Sequence, residues 1–367
     1  MGRLAPAFGT FGTNQQHIVA GEFWNILHIA RQREDGTFEP TSLVRGVDDA
    51  VLELDHCIHL PCVVDWDGDG REDILYGAED GYISFLKNVG DGEDGLPRFE
   101  QRGRIETTKP LIHAGILPSP AAYDFSGDGH YDLVVGNSTG ELLFYQSREK
   151  DGTIFLDKEV MLKGGDTPIR IAAGLMGSIQ GPSEKMFGYS CPTLADWTGN
   201  GSMDILVSDV TGHHRLFRNT GQKVLPPRFG EEEFLTFNGK PLKTVWRVRP
   251  AVVDWLNDSD LHYIALDEDG VLSDWRKASD TEPRRQTFPS LGKWRSNALY
   301  GRCRRRSRSR EAMLLRLGGV RSYRSDFWDP CSRLRAAGSK DRRTTQYNKA
   351  GRPVLLPQCR HTGRAAV

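Results

Sequence analysis

The sequence predicts an all-β chain assembled from repeated hairpins, and three observations carry that expectation. An oxygen-rich loop recurs along the chain, short apolar runs flank it on both sides, and no helical pattern adjoins it. The 40 glycines, 38% hydrophobic residues and 9% aromatics suit many short strands joined by tight turns.

The clearest copy is Asp65-Trp-Asp-Gly-Asp-Gly-Arg-Glu-Asp73, with side-chain oxygens at positions 1, 3, 5 and 9 and glycines at 4 and 6. Converging carboxylates at that spacing suit a hard cation, since Ca²⁺ takes six to eight oxygens at about 2.3–2.6 Å. No Glu stands at position 12, so the loop is not an EF-hand. Cys62-Val63-Val64 before it and Ile74-Leu75-Tyr76 after it read as two strands of a hairpin whose turn holds the metal.

Further copies run from Asp124 to Asp132 and from Asp196 to Asp204, and a degenerate one starts at Asp254, with Leu256 and His262 at two ligand positions. In all four, Pro stands four residues before the first Asp and Gly sixteen after it. The first Asp residues are 59, 72 and 58 apart. Agreement at both flanks marks a true structural repeat.

The pattern P-x-x-x-D-x-D-G-D-G-x-x-D-[IL]-x-x-G-x-x-x-G resembles the FG-GAP/VCBS repeat of integrin-α-type propellers and secreted bacterial proteins, and covers residues 55–280. The resemblance implies a β-propeller of four-stranded blades, six or seven in the intact form with about four legible here, and a structural Ca²⁺ in each first hairpin loop. It assigns the first ion to Asp65, Asp67, Asp69, Asp73 and the Arg71 carbonyl. A second falls to Asp124, Ser126, Asp128 and Asp132, and a weaker third to Asp196, Thr198, Asn200 and Asp204. The loop at Asp254 is expected to hold none.

Along the chain, residues 17–40 read as the later part of a blade without its own Asp loop, so the chain is expected to begin inside a propeller. Asp35-Gly36 and Asp151-Gly152 are turn signals at matching places, both read as outer hairpins. Trp66, Phe125, Trp197 and Trp255 share position 2 of their loops and are expected to pack between blades. The 72-residue step places an insertion at 164–185, and long loops on such a scaffold either carry function or decorate the surface.

The propeller is assigned to residues 1–285 and a basic tail to 286–367. Residues 291–367 hold 20 Lys+Arg against 4 Asp+Glu, a charge of +16 that leaves −17 on the remainder. The acidic body suits carboxylate-built loops. The run Arg302–Arg310 is low-complexity; an arm for nucleic acid or another acidic partner, a solvated tail and a shifted reading frame all stand as readings. The abrupt loss of pattern favours the last, and nucleic acid is the minority partner because no stacking platform accompanies the arginines.

No apolar run approaches the ~18 residues of a membrane span, and residues 1–16 lack the apolar core of a signal peptide. Weak Ca²⁺ loops nonetheless suit the extracellular space or cell surface, where calcium is millimolar, so a truncated or wrongly assigned start is expected. The six cysteines follow no disulfide or zinc spacing.

The segments entering each first strand cross the face opposite the metal loops. They bring His56 and His59, His113, Tyr189, then Trp246, Arg247 and Arg249. Trp246, Arg247, Arg249 and Tyr189 suit an anionic sugar through stacking and carboxylate pairing. With the histidines they also form the set a polysaccharide lyase needs, to neutralise a uronate and remove its C5 proton. Plain solvated surface is the alternative for all of them. A metal pair at His56 and His59 lacks an assigned third ligand, and His213-His214 is expected to be exposed. No nucleophile elbow, zincin, phosphate-loop or dinucleotide fingerprint is present. The expected role is therefore a Ca²⁺-stabilised secreted binder of a polysaccharide or extracellular protein, with the lyase as alternative.

Overall fold

The structure is a computed structural model that describes residues 5–286, apart from 14, 22–23, 107–113, 179, 247, 255–259, 269–271 and 278–282, together with 346–347 and 353–354. Two compact units are present, Met1–Cys303 and Arg304–Val367. In the second, Gln346–Tyr347 pairs with Pro353–Val354; the Arg302–Arg310 run lies outside the described residues.

The first unit is a five-bladed β-propeller. Blade 1 is Ala5–Gly9, His17–Gly21, Leu27–Arg31 and Ser42–Leu43. Blade 2 is Leu60–Val64, Asp73–Gly77, Ile83–Asp91 and Pro97–Arg104, with Arg45–Gly46 added in parallel at its outer edge. Blade 3 is Ser119–Tyr123, Asp132–Gly136, Leu142–Tyr145 and Val160–Met161. Blade 4 is Cys191–Ala195, Asp204–Ser208, His214–Phe217 and Glu233–Phe234. Blade 5 is Ala251–Val253, His262–Leu266, Leu272–Lys277 and Pro283–Gln286.

Each first strand packs against the first strand of the next blade, and that of blade 5 packs against that of blade 1. The ring therefore closes on five blades, not the six or seven expected. Blade 1 also has its own first strand: Ala5–Gly9 pairs with His17–Gly21, so residues 17–40 are not a blade that lacks one. The sequence hid this strand because its turn to the next is short and lacks aspartates. Both predicted turns form, with Gly36 and Gly152 at positive φ. The second joins Ser147–Lys150 to Thr153–Leu156, a hairpin separate from the four-stranded sheet of blade 3.

The second strands explain the apolar runs. Asp73–Gly77, Asp132–Gly136 and Asp204–Ser208 are buried throughout, because a blade's middle strands are covered on both faces by neighbouring blades. Four apolar layers fill the gaps between consecutive blades, and a smaller one around Ile264, Phe8 and Val253 lines the seam between blades 5 and 1. The position-2 aromatics belong to these layers. Trp66 packs with Leu133 and Val135 of blade 3, Phe125 against Ile205 and Val207 of blade 4, and Trp197 edge-on to Tyr263 of blade 5 at 5.9 Å. Trp255 lies outside the described residues.

Three glycines set how closely blades approach. A Cβ on Gly21 would fall on the His59 carbonyl, one on Gly77 on that of Pro118, and one on Gly136 on that of Ser190. At the matching place blade 4 has Ser208, whose hydroxyl donates to the Val248 carbonyl.

Candidate metal loops and the opposite face

In the three Asp loops the backbone folds around its own carboxylates. Glycines at positions 4 and 6 have positive φ in every copy, a conformation glycine enters without steric cost. The position-1 carboxylate accepts backbone amides across the loop: Gly70 to Asp65 at 2.9 Å, Gly129 to Asp124 at 2.9 Å and Gly201 to Asp196 at 2.9 Å. The position-5 oxygen accepts the amide two residues on, at 3.0 Å for Asp69, 2.9 Å for Asp128 and 2.8 Å for Asn200.

Position 9 ties the loop to the sheet. Asp73 accepts the Trp66 and Asn88 amides at 3.0 and 2.7 Å, Asp132 those of Phe125 and Ser147 at 3.0 and 2.9 Å, and Asp204 those of Thr198 and Asn219 at 2.8 Å each. All three aspartates are fully buried. Burial pushes the Asp73 carboxyl up to about 7 and raises that of Asp132, a cost that a nearby cation relieves.

The other two blades replace this aspartate with His17 and His262, both fully buried. His262 Nδ1 lies 2.9 Å from Asp274. In blade 1 the Thr10 and Phe11 amides donate instead to Glu72, which reaches across from blade 2. One carboxylate of the neighbouring loop thus does the work of the missing aspartate.

Whether these loops fit Ca²⁺ is clearest in blade 2. Among the described residues, Asp65, Asp67 and Asp73 form a group whose ligand oxygens lie within 4.8 Å of one another. Asp65 Oδ1 is buried there with no hydrogen-bond partner. Asp69 lies at the rim, bonded with Asp67 to the Lys87 ammonium. In blade 3 the Ser126 hydroxyl donates to Asp124 at 3.1 Å, and in blade 4 the Thr198 hydroxyl donates to Asp204 at 2.9 Å. The donor set of blade 2 thus fits a hard cation most directly. Residues 255–259 of the fourth loop lie outside the described residues.

On the opposite face the predicted residues separate into three places. His56 is half-exposed, with Nε2 3.4 Å from Asp80, which also pairs with Arg104 at 3.0 Å. His59, three residues on, is 1% exposed, its Nε2 3.1 Å from the Asp55 carbonyl and its ring edge-on to Tyr76. Burial lowers its pKa, so it stays neutral. Among the described residues these histidines join no metal-type cluster. Tyr189 stacks on Phe187 at 5.6 Å and donates to Glu184 at 3.2 Å. Arg249 is 6% exposed and donates across the ring to the Pro61 carbonyl. Trp246 is half-buried, and His113 and Arg247 lie outside the described residues.

The expectation for His214 is corrected. It is fully buried, bonded to the Tyr263 hydroxyl and, at 2.7 Å, to that of Thr244, because it opens a strand facing blade 5 instead of ending a turn. Lys87, Glu72, His17 and the Asp80–Arg104 pair were missed. A signal for Lys87 was available: it stands fourteen residues after Asp73, as basic Arg218 does after Asp204.

Comparison with known proteins agrees with the repeat. Residues 65–135 match the family model described as FG-GAP-like repeat, a span running from the Asp loop of blade 2 through the second strand of blade 3. The chain thus carries an FG-GAP-like repeat within a five-bladed β-propeller. Integrin alpha-4 of Xenopus laevis is 28% identical over 160 residues, which cover 40% of this chain and 14% of that protein. Among solved structures, a GH43_1 enzyme from Xanthomonas citri is similar at 15% identity and TM-score 0.43, covering 78% of this chain and 91% of that one. A fucose-specific lectin from Aleuria aurantia is similar at 12% identity and TM-score 0.41, covering 79% and 81%.

Proposed function

We propose that this protein is an extracellular binding propeller, braced by Ca²⁺ in its Asp loops, which takes a glycan or protein ligand on the face opposite those loops. The observation that carries the reading is where exposed apolar surface collects. Six large apolar side chains among the described residues are more than half exposed: Trp24, Val47, Ile116, Leu175, Met176 and Met186. All but Val47 belong to second turns or entering segments, and so to the face opposite the Asp loops. Met176 is 92% exposed, on an excursion that leaves and rejoins the ring beside the Ser138–Gly140 turn of blade 3. Exposed apolar groups gathered on one side of a rigid scaffold mark an interaction surface.

Calcium has a structural part here. Asp65, Asp67, Asp69, Asp73 and the Arg71 carbonyl would hold the first ion, with Asp124, Ser126, Asp128 and Asp132, then Asp196, Thr198, Asn200 and Asp204, as the further sets. The ion would neutralise carboxylates that otherwise repel, fixing the hairpin. Melting should rise in calcium over EDTA by about 2–4 °C for each kcal/mol of binding free energy. Identical melts would sink this part of the reading.

The lyase alternative has less support. One of its two arginines and one of its bases, Arg249 and His59, are buried, which keeps them from a polymer. Passage over immobilised alginate, pectate, hyaluronan and extracellular-matrix proteins separates the readings. Retention without turnover supports the binder, and new near-UV absorbance from unsaturated ends supports the lyase.

A further inference from the structure

In the blade 2 loop a side chain of the protein already supplies a cation. Lys87 lies on the third strand of blade 2, beside the loop that joins the first strand to the second. Its Nζ bonds both Asp67 and, at 2.7 Å, Asp69, while the side chain keeps 20% exposure. Burial works against this charge, yet the two carboxylates outweigh it and hold the ammonium above the usual lysine range. Asp69 in turn is held below the usual carboxylate range, first by its bond to Lys87.

The same place in other blades is occupied differently. Arg31 in blade 1 pairs with Glu39 at 3.1 Å, and Arg218 in blade 4 with Glu233 at 2.6 Å. Blade 3 has the neutral Gln146. The lysine bonded to loop carboxylates therefore coincides with the loop in which three carboxylates converge and an oxygen of Asp65 is left over.

We propose that Lys87 is a tethered counter-ion of the blade 2 loop, and that a divalent cation enters this loop by displacing it. The proposal rests on the calcium reading above. Without metal, the ammonium offsets the Asp67–Asp69 repulsion and keeps the hairpin folded. When Ca²⁺ arrives, Asp67 must release Lys87 before it can ligate, which weakens the site. The loop richest in carboxylates is thereby tuned to high calcium and tolerates its removal.

The test uses the full chain with Lys87→Gln, which copies blade 3, and Lys87→Arg, which keeps the charge. Calorimetric titration with CaCl₂ and thermal melts in EDTA are the readouts. Lys87→Gln should bind Ca²⁺ about five- to tenfold more tightly than wild type, as follows from releasing a partly exposed ion pair of about 1 kcal/mol. It should also melt lower in EDTA and gain more from calcium. Lys87→Arg should stay close to wild type in both, so a general folding defect at this site would be seen as a fault shared by the two variants. Equal calcium affinity in Lys87→Gln and wild type, or an unchanged EDTA melt, overturns the role of Lys87. Absence of any calcium response in all three proteins overturns the calcium reading itself, and the two failures are told apart by the wild-type titration alone.

Discussion

Single buried polar groups decide much of the stability of this ring. Asp204 accepts the buried Asn219 amide and the half-buried Thr198 amide and hydroxyl, so Asp204→Ala leaves three donors without their partner, one of them fully enclosed. A loss of about 2–4 kcal/mol is expected in urea unfolding, since each unpaired buried donor costs about 1–3 kcal/mol. His214 sets a pH dependence. Burial lowers its pKa to about 3, whereas the unfolded chain protonates it near 6.5. Its stabilising contribution is thus full above pH 6.5 and is lost as pH falls towards 3, by up to about 1.4 kcal/mol per pH unit. Unfolding free energies measured between pH 7.5 and 5 should fall more steeply in wild type than in His214→Gln. At this scale the sequence disclosed the loop aspartates, because their spacing is local. Lys87 and Glu72 act from another strand and another blade, so their roles became visible only when the register and the blade contacts were known.

Blades are spaced by backbone contacts that leave no room for side chains. Gly77→Ala and Gly136→Ala would each drive a methyl into a carbonyl of the next blade, and overpacking of this kind costs about 1–3 kcal/mol. Matched thermal melts should show both variants well below wild type, whereas Gly68→Ala meets open space and strains only its own φ of 72°. Hairpins flanked by an Asp loop were legible as elements, and so were the aromatics that pack between blades. The strand Ala5–Gly9 was not, because its turn to His17 carries none of the loop chemistry and Glu72 stands in from outside. The burial of His214 was also hidden, since a strand's first residue beside a glycine turn looks the same in sequence whether it faces solvent or another blade.

At the scale of the whole molecule, five blades close a ring that puts the Asp loops on one side and most of the strongly exposed apolar side chains of the described residues on the other. The blade number escaped the sequence because only three loops keep the full pattern; blades 1 and 5 replace their buried aspartate by His17 and His262. The polarity of the ring follows from antiparallel pairing alone, since successive turns must alternate between faces. The measurement that tests this division most directly is retention on the panel of immobilised polysaccharides and matrix proteins, run side by side with two surface-altered proteins. One carries Trp24→Ala with Met176→Ser on the turn face, and the other carries Asp128→Asn in an exposed Asp loop. The account predicts that wild type and the loop variant are retained alike in calcium while the turn-face variant is lost. Retention that survives the turn-face changes but disappears with the loop change would contradict it.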